Sequence, residues 1–505
     1  MSSDTTKDAV EKLPTHIPGF DLISMGGLPT GRTSLISGTA GSAKTTFAIQ
    51  FLASGILYDD EGGVFITFEE RPDDIRRNVA SFGWDIARWE AESKWAFVDA
   101  SPRSGDEEII TGDYDLGALL VRIELAVRKV NARRVALDSL GAIFAQFTDS
   151  GIVRKELFRI TSALKMMGVT AIMTAERTEE YGEIARYGVE EFVTDNVIIL
   201  RNALEAEKRR RTMEILKFRG TNHQKGEYPF TITPTDGIVA VPLSAIELRQ
   251  RSSDSRISSG SAELDAMCGG GFFRDSISLV SGATGTGKTL LVSHFMAGGA
   301  ANQERCLLFA FEESREQLFR NAIGWGFDFE QMEAENKLKV VCEYPEVMGL
   351  EDHLIRMKSI IDEFKPNRLA VDSLSALERV ATIKGYREFV IALTSFIKHQ
   401  EVAGLFTSTT PNLMGGVSIT EAHISTITDA IVLLRYVELY GVMRRGLTVL
   451  KMRGSRHDKD IREFSIDDNG MHIGKPFREI SGILTGHIVR MMPDEIDRIE
   501  GLFSE

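Results

Sequence analysis

The chain repeats itself once, at a very long period. The octet Gly38-Thr39-Ala40-Gly41-Ser42-Ala43-Lys44-Thr45 returns 244 residues later as Gly282-Ala283-Thr284-Gly285-Thr286-Gly287-Lys288-Thr289. Phe68-Glu69-Glu70 returns after 243 residues as Phe311-Glu312-Glu313. Leu137-Asp138-Ser139-Leu140 and Lys217-Phe218-Arg219-Gly220 both return after 234, as Val371-Asp372-Ser373-Leu374 and Lys451-Met452-Arg453-Gly454. Four matches in one order at a nearly constant offset are not a solenoid, whose units run to about 20–50 residues. They are two tandem copies of one domain. The join falls between Pro242 and Gly260, where Gln250-Arg251-Ser252-Ser253-Asp254-Ser255 reads as a linker. We expect domains at 1–245 and 261–478, a linker at 246–260 and a tail at 479–505.

Within each copy short apolar runs alternate with longer amphipathic stretches. Residues 33–37, 63–68, 134–137 and 170–174 read as buried strands, with counterparts at 277–281, 306–311, 368–371 and 404–407. Helical periods run between them, for example over 45–56 and 118–130. Such alternation predicts an α/β fold, a mainly parallel sheet with helices on both faces.

The duplicated octets carry the first chemistry. Gly282 to Thr289 fits G-x-x-x-x-G-K-[ST] between an apolar strand and a helix. Glycines there let backbone N–H groups turn inward onto phosphates, with a helix N-terminus behind them. Lys288 is a point charge for the β and γ phosphates, and Thr289 is a hydroxyl ligand for Mg²⁺. The first copy keeps Gly41, Lys44 and Thr45 but has Ala43 where the last glycine belongs. If that position needs a positive φ, alanine costs of order 1 kcal/mol. An adjusted loop that still binds nucleotide is expected.

Asp138 and Asp372 each end an apolar strand at the distance from the loop where such enzymes put the acid that holds Mg²⁺ through water. Glu69-Glu70 and Glu312-Glu313 follow the second strand, where a carboxylate can orient or deprotonate an attacking water or hydroxyl. Lys217/Arg219 and Lys451/Arg453 come late, where a fixed cation can reach a neighbouring subunit's γ-phosphate.

These motifs, all duplicated, resemble the KaiC family of cyanobacterial circadian-clock proteins over about residues 17–486, and the stretches Tyr181-Gly182-Glu183-Ile184-Ala185-Arg186-Tyr187-Gly188 and Lys225-Gly226-Glu227-Tyr228-Pro229-Phe230 resemble that family specifically. The resemblance implies tandem RecA-like domains in a double-ring homohexamer with ATP at subunit interfaces. It implies a slow ATPase in the N-terminal ring and, in the C-terminal ring, reversible autophosphorylation on adjacent Ser and Thr. It implies N-terminal nucleotide contacts from Gly41, Ser42, Ala43, Lys44, Thr45, Thr46 and Ser81, with Lys217, Phe218, Arg219, Thr221 and His223 of the adjoining subunit. In the C-terminal copy it implies Thr284, Gly285, Thr286, Gly287, Lys288, Thr289, Leu290, Glu312 and Trp325, with the neighbour's Arg445, Lys451, Met452, Arg453, Ser455, His457 and Lys459. Thr45, Thr289 and Glu312 would touch Mg²⁺. A KaiB-like partner is implied too. Three departures stand out: Ala43, Arg456 where the family more often has an aromatic residue, and a divergent tail after Gly486. Ile480-Ser481-Gly482-Ile483 resembles the family's regulatory loop, but the divergence of the tail puts binding of a KaiA-like activator in doubt.

Aligned at offset 234, Thr194-Asp195 falls on Thr428-Asp429, and Ser425 and Thr426 fall opposite Glu191 and Phe192. Only the C-terminal copy therefore offers hydroxyl acceptors there; read alone this is a polar loop before a strand, and it is the resemblance that implies Ser425 and Thr426 as phosphorylation sites, with Glu312 or Glu313 as base. A DNA-repair ATPase of the same fold is the first alternative. It finds one basic cluster, Lys208-Arg209-Arg210-Arg211, in a chain of formal net charge −14, which repels nucleic acid overall. The second is a scaffold that uses ATP only to assemble. The three cysteines, Cys268, Cys306 and Cys342, form no CxxC pair, and the polar N-terminus has no apolar signal core. With no stretch of about 18 apolar residues, a cytoplasmic protein without a membrane span is expected.

Overall fold

The computed structural model describes residues 10–101, 116–144, 150–186, 188, 190–205, 208–242, 253–410, 426–478, 480–483 and 489–490. The chain divides into two compact units, 1–245 and 246–505. In the first, six strands run parallel in the spatial order Trp95–Asp99, Gly62–Thr67, Ala132–Asp138, Thr170–Glu176, Thr33–Gly38, Asn196–Glu205. Three antiparallel strands, Lys208–Phe218, Glu227–Thr233 and Gly237–Ala240, extend the sheet beyond the last of them. The apolar runs anticipated four of the six parallel strands nearly in place; Trp95–Asp99 and Asn196–Glu205 were not among them. The antiparallel extension carries Lys208 to Arg211 and other exposed polar residues, so its pattern does not stand out from a loop.

Why the parallel strands read as continuous apolar runs is visible in the packing. Along the central strand Leu35 faces one core and Ile36 the other. Ile36, Phe65, Ala136, Ile172 and Ile198 meet Phe47, Phe51 and Leu52 of the helix Lys44–Asp59. Leu35, Val64, Val135, Ala171 and Val197 meet Ile123 of Leu116–Val130 and Leu157 of Ser150–Met166. A sheet covered by helices on both faces leaves no side for water, and period-two alternation disappears.

The second unit repeats the plan with the order Leu338–Cys342, Cys306–Ala310, Arg368–Asp372, Ala403–Thr409, Ile277–Gly282, Ala430–Leu439, then antiparallel Val442–Met452, Arg462–Asp467 and Gly470–Pro476. The end of the Ser-rich join is already part of this unit. Arg256–Ile257 pairs with Phe272–Phe273, and Arg256 donates to the carbonyls of Cys268 and Gly271. All three cysteines are free thiols. Among the described residues no helix is long and apolar enough to cross a membrane.

In both units a strand ends in a loop that opens the helix behind it. Ala43 stands at φ 73°, in the left-handed region, and Gly287 at φ 106°. The first loop therefore carries the strain its sequence suggested. Its methyl group is also packed against the core, which offsets part of the cost. At Gly287 a Cβ would come within 3.2 Å of Ile466 Cδ1. Ala43→Gly should leave stability within about 1 kcal/mol of wild type, because relief of strain and loss of about one buried methyl oppose each other. Gly287→Ala should cost about 1–3 kcal/mol. Urea unfolding of the two variants checks both; equal and opposite shifts would contradict the difference in backbone geometry.

Candidate functional site

The loop lysines set the geometry. Lys44 Nζ donates to the carbonyls of Gly38 and Thr39, both at 2.9 Å. Lys288 Nζ does the same to Gly282 and Ala283, at 2.9 and 3.1 Å. Ser42 and Thr286 each close the loop by donating to the carbonyl three residues back, at 2.8 Å. Burial holds both lysines below the usual range, while Glu176 and Asp138 raise Lys44, and Asp372 and Glu312 raise Lys288. A lysine drawn out of water beside carboxylates is poised to gain an anion. Thr46 is half-buried on the loop helix, and Leu290 is fully buried in the core below it.

The strand-end acids face these loops. Asp138 accepts from Thr45 Oγ1 at 2.7 Å and from Thr174 on the neighbouring strand. Asp372 accepts from Thr407 and Thr289 in the same way, and its deep burial pushes its carboxyl up. The threonine of each pair directly follows the loop lysine, and the pair is an all-oxygen donor set of the kind a hard divalent cation takes.

The glutamate pairs separate into two roles by contact. Glu69 accepts from Ser139 Oγ at 2.8 Å, and Glu312 from Arg379 at 3.1 Å. Glu70 accepts from Asn78 Nδ2 at 3.2 Å and Glu313 from Asn321 Nδ2 at 3.1 Å. Burial raises both Glu70 and Glu313 above the carboxylate range, and Asp138 and Asp372 respectively add to it. The two asparagines went unnoticed in the sequence, although they stand 243 residues apart, the offset of the glutamates themselves.

The late cations lie far from their own loops. Phe218 is level with Asn196, and Asn196 with Ser34. Ser34 precedes Gly38 by four residues, about 13 Å of strand. Met452, Ala430 and Ser278 repeat this register in the second unit. At that end Lys217 Nζ donates to the Glu191 and Thr194 carbonyls at 2.8 and 2.9 Å, and Arg219 to Phe192 at 3.4 Å. Lys451 donates to the Thr428 carbonyl and Arg453 to that of Thr426, both at 2.7 Å. Thr426 is exposed; Ser425 lies outside the described residues.

The remaining expected contacts scatter. Thr221 and His223 follow Arg219, with the His223 ring edge-on to Phe218 at 5.5 Å. Ser455 accepts from Arg256, while His457 is half-buried and Lys459 exposed. Ser81 is exposed, in the turn Ala80–Phe82, and Trp325 is half-buried against the second unit's core. Arg445 pairs with Tyr436, at the loop end of the sheet, about 20 Å of strand from Lys451. The basic run Lys208 to Arg211 is tied down in its hairpin: Arg209 donates to Asn202, Arg210 faces Glu205, and Arg211 donates to Gly41.

The family model described as "ATPase: KaiC" matches residues 13–245 and again 257–477. The chain is 70% identical over 502 residues to the circadian clock protein KaiC3 of Synechocystis sp. (strain ATCC 27184 / PCC 6803 / Kazusa), covering 99% of each chain. It is 57% identical over 494 residues to the circadian clock oscillator protein KaiC of Synechococcus elongatus, covering 98% of this chain and 95% of that one. It is 56% identical over 486 residues to KaiC of Prochlorococcus marinus, covering 96% and 97%. Two phosphate loops with their strand-end acids, matched twice by one family model and throughout by these relatives, make this chain a member of the KaiC family, an ATPase of two tandem RecA-like domains.

Proposed function

We propose that the chain works as a homohexameric double ring in which the N-terminal ring hydrolyses ATP slowly and the C-terminal ring phosphorylates, and dephosphorylates, Ser425 and Thr426. It would be the core of a circadian or timer-like system, soluble in the cytoplasm, with a KaiB-like partner. The observation that carries the reading is the placement of Lys451 and Arg453. They grip the backbone at Thr426 and Thr428, at the end of the sheet opposite their own phosphate loop. Thr426, which is exposed, and the cations would thereby face the loop of another subunit together. In the first unit Lys217 and Arg219 hold Glu191, Phe192 and Thr194 likewise, and that segment has no hydroxyl opposite Ser425 or Thr426.

In this arrangement Lys288 and the loop N–H groups hold the β and γ phosphates. The acceptor hydroxyl oxygen attacks the γ-phosphorus; the bond from that phosphorus to the bridging oxygen breaks, and ADP leaves. The hydroxyl proton passes to Glu312 or Glu313. Arg453 of the next subunit sets fixed positive charge against the transferring group. In the N-terminal ring water replaces the hydroxyl, and Glu69 or Glu70 takes its proton. Mg²⁺ suits the oxygen set Thr45 and Asp138, and Thr289, Asp372 and Glu312; it would neutralise phosphate charge.

Incubation with ATP and Mg²⁺ should label Ser425 and Thr426 and nothing in residues 1–240. The Ser425→Ala/Thr426→Ala double variant should lose the label and keep N-terminal ATP turnover. Unmodified hydroxyls in wild-type protein that turns ATP over would leave a plain ring ATPase.

The trans arrangement makes a directional prediction. Lys288→Ala and Arg453→Ala chains should each label poorly alone, by roughly 10²-fold or more. Mixed, they should regain label, and mass spectrometry should find it on the Lys288→Ala chain. Label on the Arg453→Ala chain would contradict the geometry.

Asn78 and Asn321 hold the second glutamate of each pair in its charged form. Without that hydrogen bond, burial and the nearby aspartate raise the carboxyl further, so the basic form is lost at a higher pH as pH falls. Asn78→Ala should move the acid limb of N-terminal ATP turnover upward, Asn78→Asp further, with little change in KM. An unmoved pH profile would make Asn78 a surface contact only.

A further inference from the structure

One side chain ties each phosphate-loop helix to the hairpin that closes its sheet. In the first unit it is Gln50. Its Oε1 accepts the Ile238 N–H at 2.7 Å, and its Nε2 donates to the carbonyls of Asp236 and Ile238 at 2.8 and 3.1 Å. The same place in the second unit, 244 residues on, is His294. Its Nε2 accepts the Met471 N–H at 2.9 Å, and its Nδ1 lies 3.3 Å from the Gly260 carbonyl. Ile238 and Met471 each follow a glycine with positive φ, Gly237 and Gly470. A Cβ on either would come within 2.6 Å of Gln50 Oε1 or 2.5 Å of His294 Nε2. Both side chains are buried, 2% and 7% exposed. The bond is one and the same, but an amide does not titrate and an imidazole does.

An Nε2 that accepts from a backbone N–H fixes the tautomer, with the proton on Nδ1 toward Gly260. A second proton would set N–H against the Met471 N–H and place a charge in a closed space. The ring of Phe327 stands edge-on at 4.8 Å. Glu263, on the helix Ala262–Met267, favours protonation, and His472, beside Met471 on the hairpin, opposes it. Burial outweighs both and holds His294 below the usual histidine range. The hairpin also roofs the phosphate loop, since a Cβ on Gly287 would lie 3.2 Å from Ile466 Cδ1 and 3.5 Å from Met471 Cε.

We propose that His294 is an acid-sensitive positioning residue for the C-terminal nucleotide loop: neutral, it pins the hairpin over the loop; protonated, it releases the hairpin and weakens nucleotide binding in that domain alone. The unfolded side chain titrates near 6.5 and the folded one lower. The clamp is therefore at full strength above about pH 6.5 and is lost as pH falls from there through the folded value. Gln50 gives the N-terminal domain no such dependence. The inference needs ATP at Gly282 to Thr289 but not transfer to Ser425 or Thr426, so the labelling experiment and this one fail separately.

Amide hydrogen exchange of the full chain with ATP, at about pH 8 and about pH 5.8 and corrected for intrinsic rates, reads the clamp directly. Protection at Met471 should fall more than at Ile238, by up to about sixfold, the limit one proton with an open-state value near 6.5 sets at about pH 5.8. His294→Gln should remove the difference, Gln50→His should carry it to Ile238, and His472→Gln should leave it in place. ATP retained per chain should fall from about two toward one at the lower pH in wild type and stay near two in His294→Gln. The same pH response at Met471 in wild type and His294→Gln overturns the proposal, as does a response abolished by His472→Gln. Hairpin release with unchanged ATP retention overturns the link to nucleotide.

Discussion

A strand has two ends, and each domain of this protein puts its phosphate loop at one and its Lys-x-Arg pair toward the other. The phosphate loop must follow the C-terminal end of a central parallel strand, because only there do the loop N–H groups and the helix behind it converge. The Lys-x-Arg pair sits four strand residues away, at the other end, in the register Ser34, Asn196, Phe218 and its copy Ser278, Ala430, Met452. No rotamer brings such cations back over their own loop. In the function proposed above, where both act on one phosphate, one of them has to come from a neighbouring chain.

The duplication gives each feature an internal control. Both copies agree in three contacts around the loop: lysine to loop carbonyls, threonine to strand-end aspartate, asparagine to second glutamate. A buried arginine beneath each loop helix agrees as well. Arg134 donates to the Phe51 carbonyl and pairs with Glu61, while Arg368 donates to that of Phe295 and pairs with Glu304. Its charge is satisfied on several sides, without which its burial would be unaffordable. Where the copies differ, specialisation has to lie. Among the differences are Ala43 against Gly287, Gln50 against His294, Ser139 against Arg379 as the partner of the first glutamate, and Glu191-Phe192 against Ser425-Thr426.

Much of this was legible in the sequence because it is local. Strand, glycine loop, lysine and helix are contiguous, and the acids fall at strand ends that apolar runs mark. What stayed hidden is carried by residues whose partners are set by how the chain folds back, near or far, and not by local spacing. Asn78 and Asn321 look like any exposed helix asparagine until a glutamate eight residues earlier folds onto them. Gln50 and His294 sit inside helices so apolar that a polar side chain reads as incidental. The antiparallel strands after Asn196–Glu205 and Ala430–Leu439 are long and partly polar, and only pairing with an already buried strand makes them part of the sheet.

By itself, then, the sequence determined the duplication, the α/β alternation, both phosphate loops and the acids that serve them, because spacing along a strand–loop–helix unit is set by local backbone geometry. Tertiary structure alone decided which end of the sheet each cation occupies, which glutamate an asparagine holds, and that one histidine nitrogen must stay unprotonated. The cations and the histidine depend on strand register and on the hairpin's approach to the loop helix, which are fixed only when segments more than a hundred residues apart in the chain pack together; the asparagine contact depends on how the turn between strand and helix folds over eight residues.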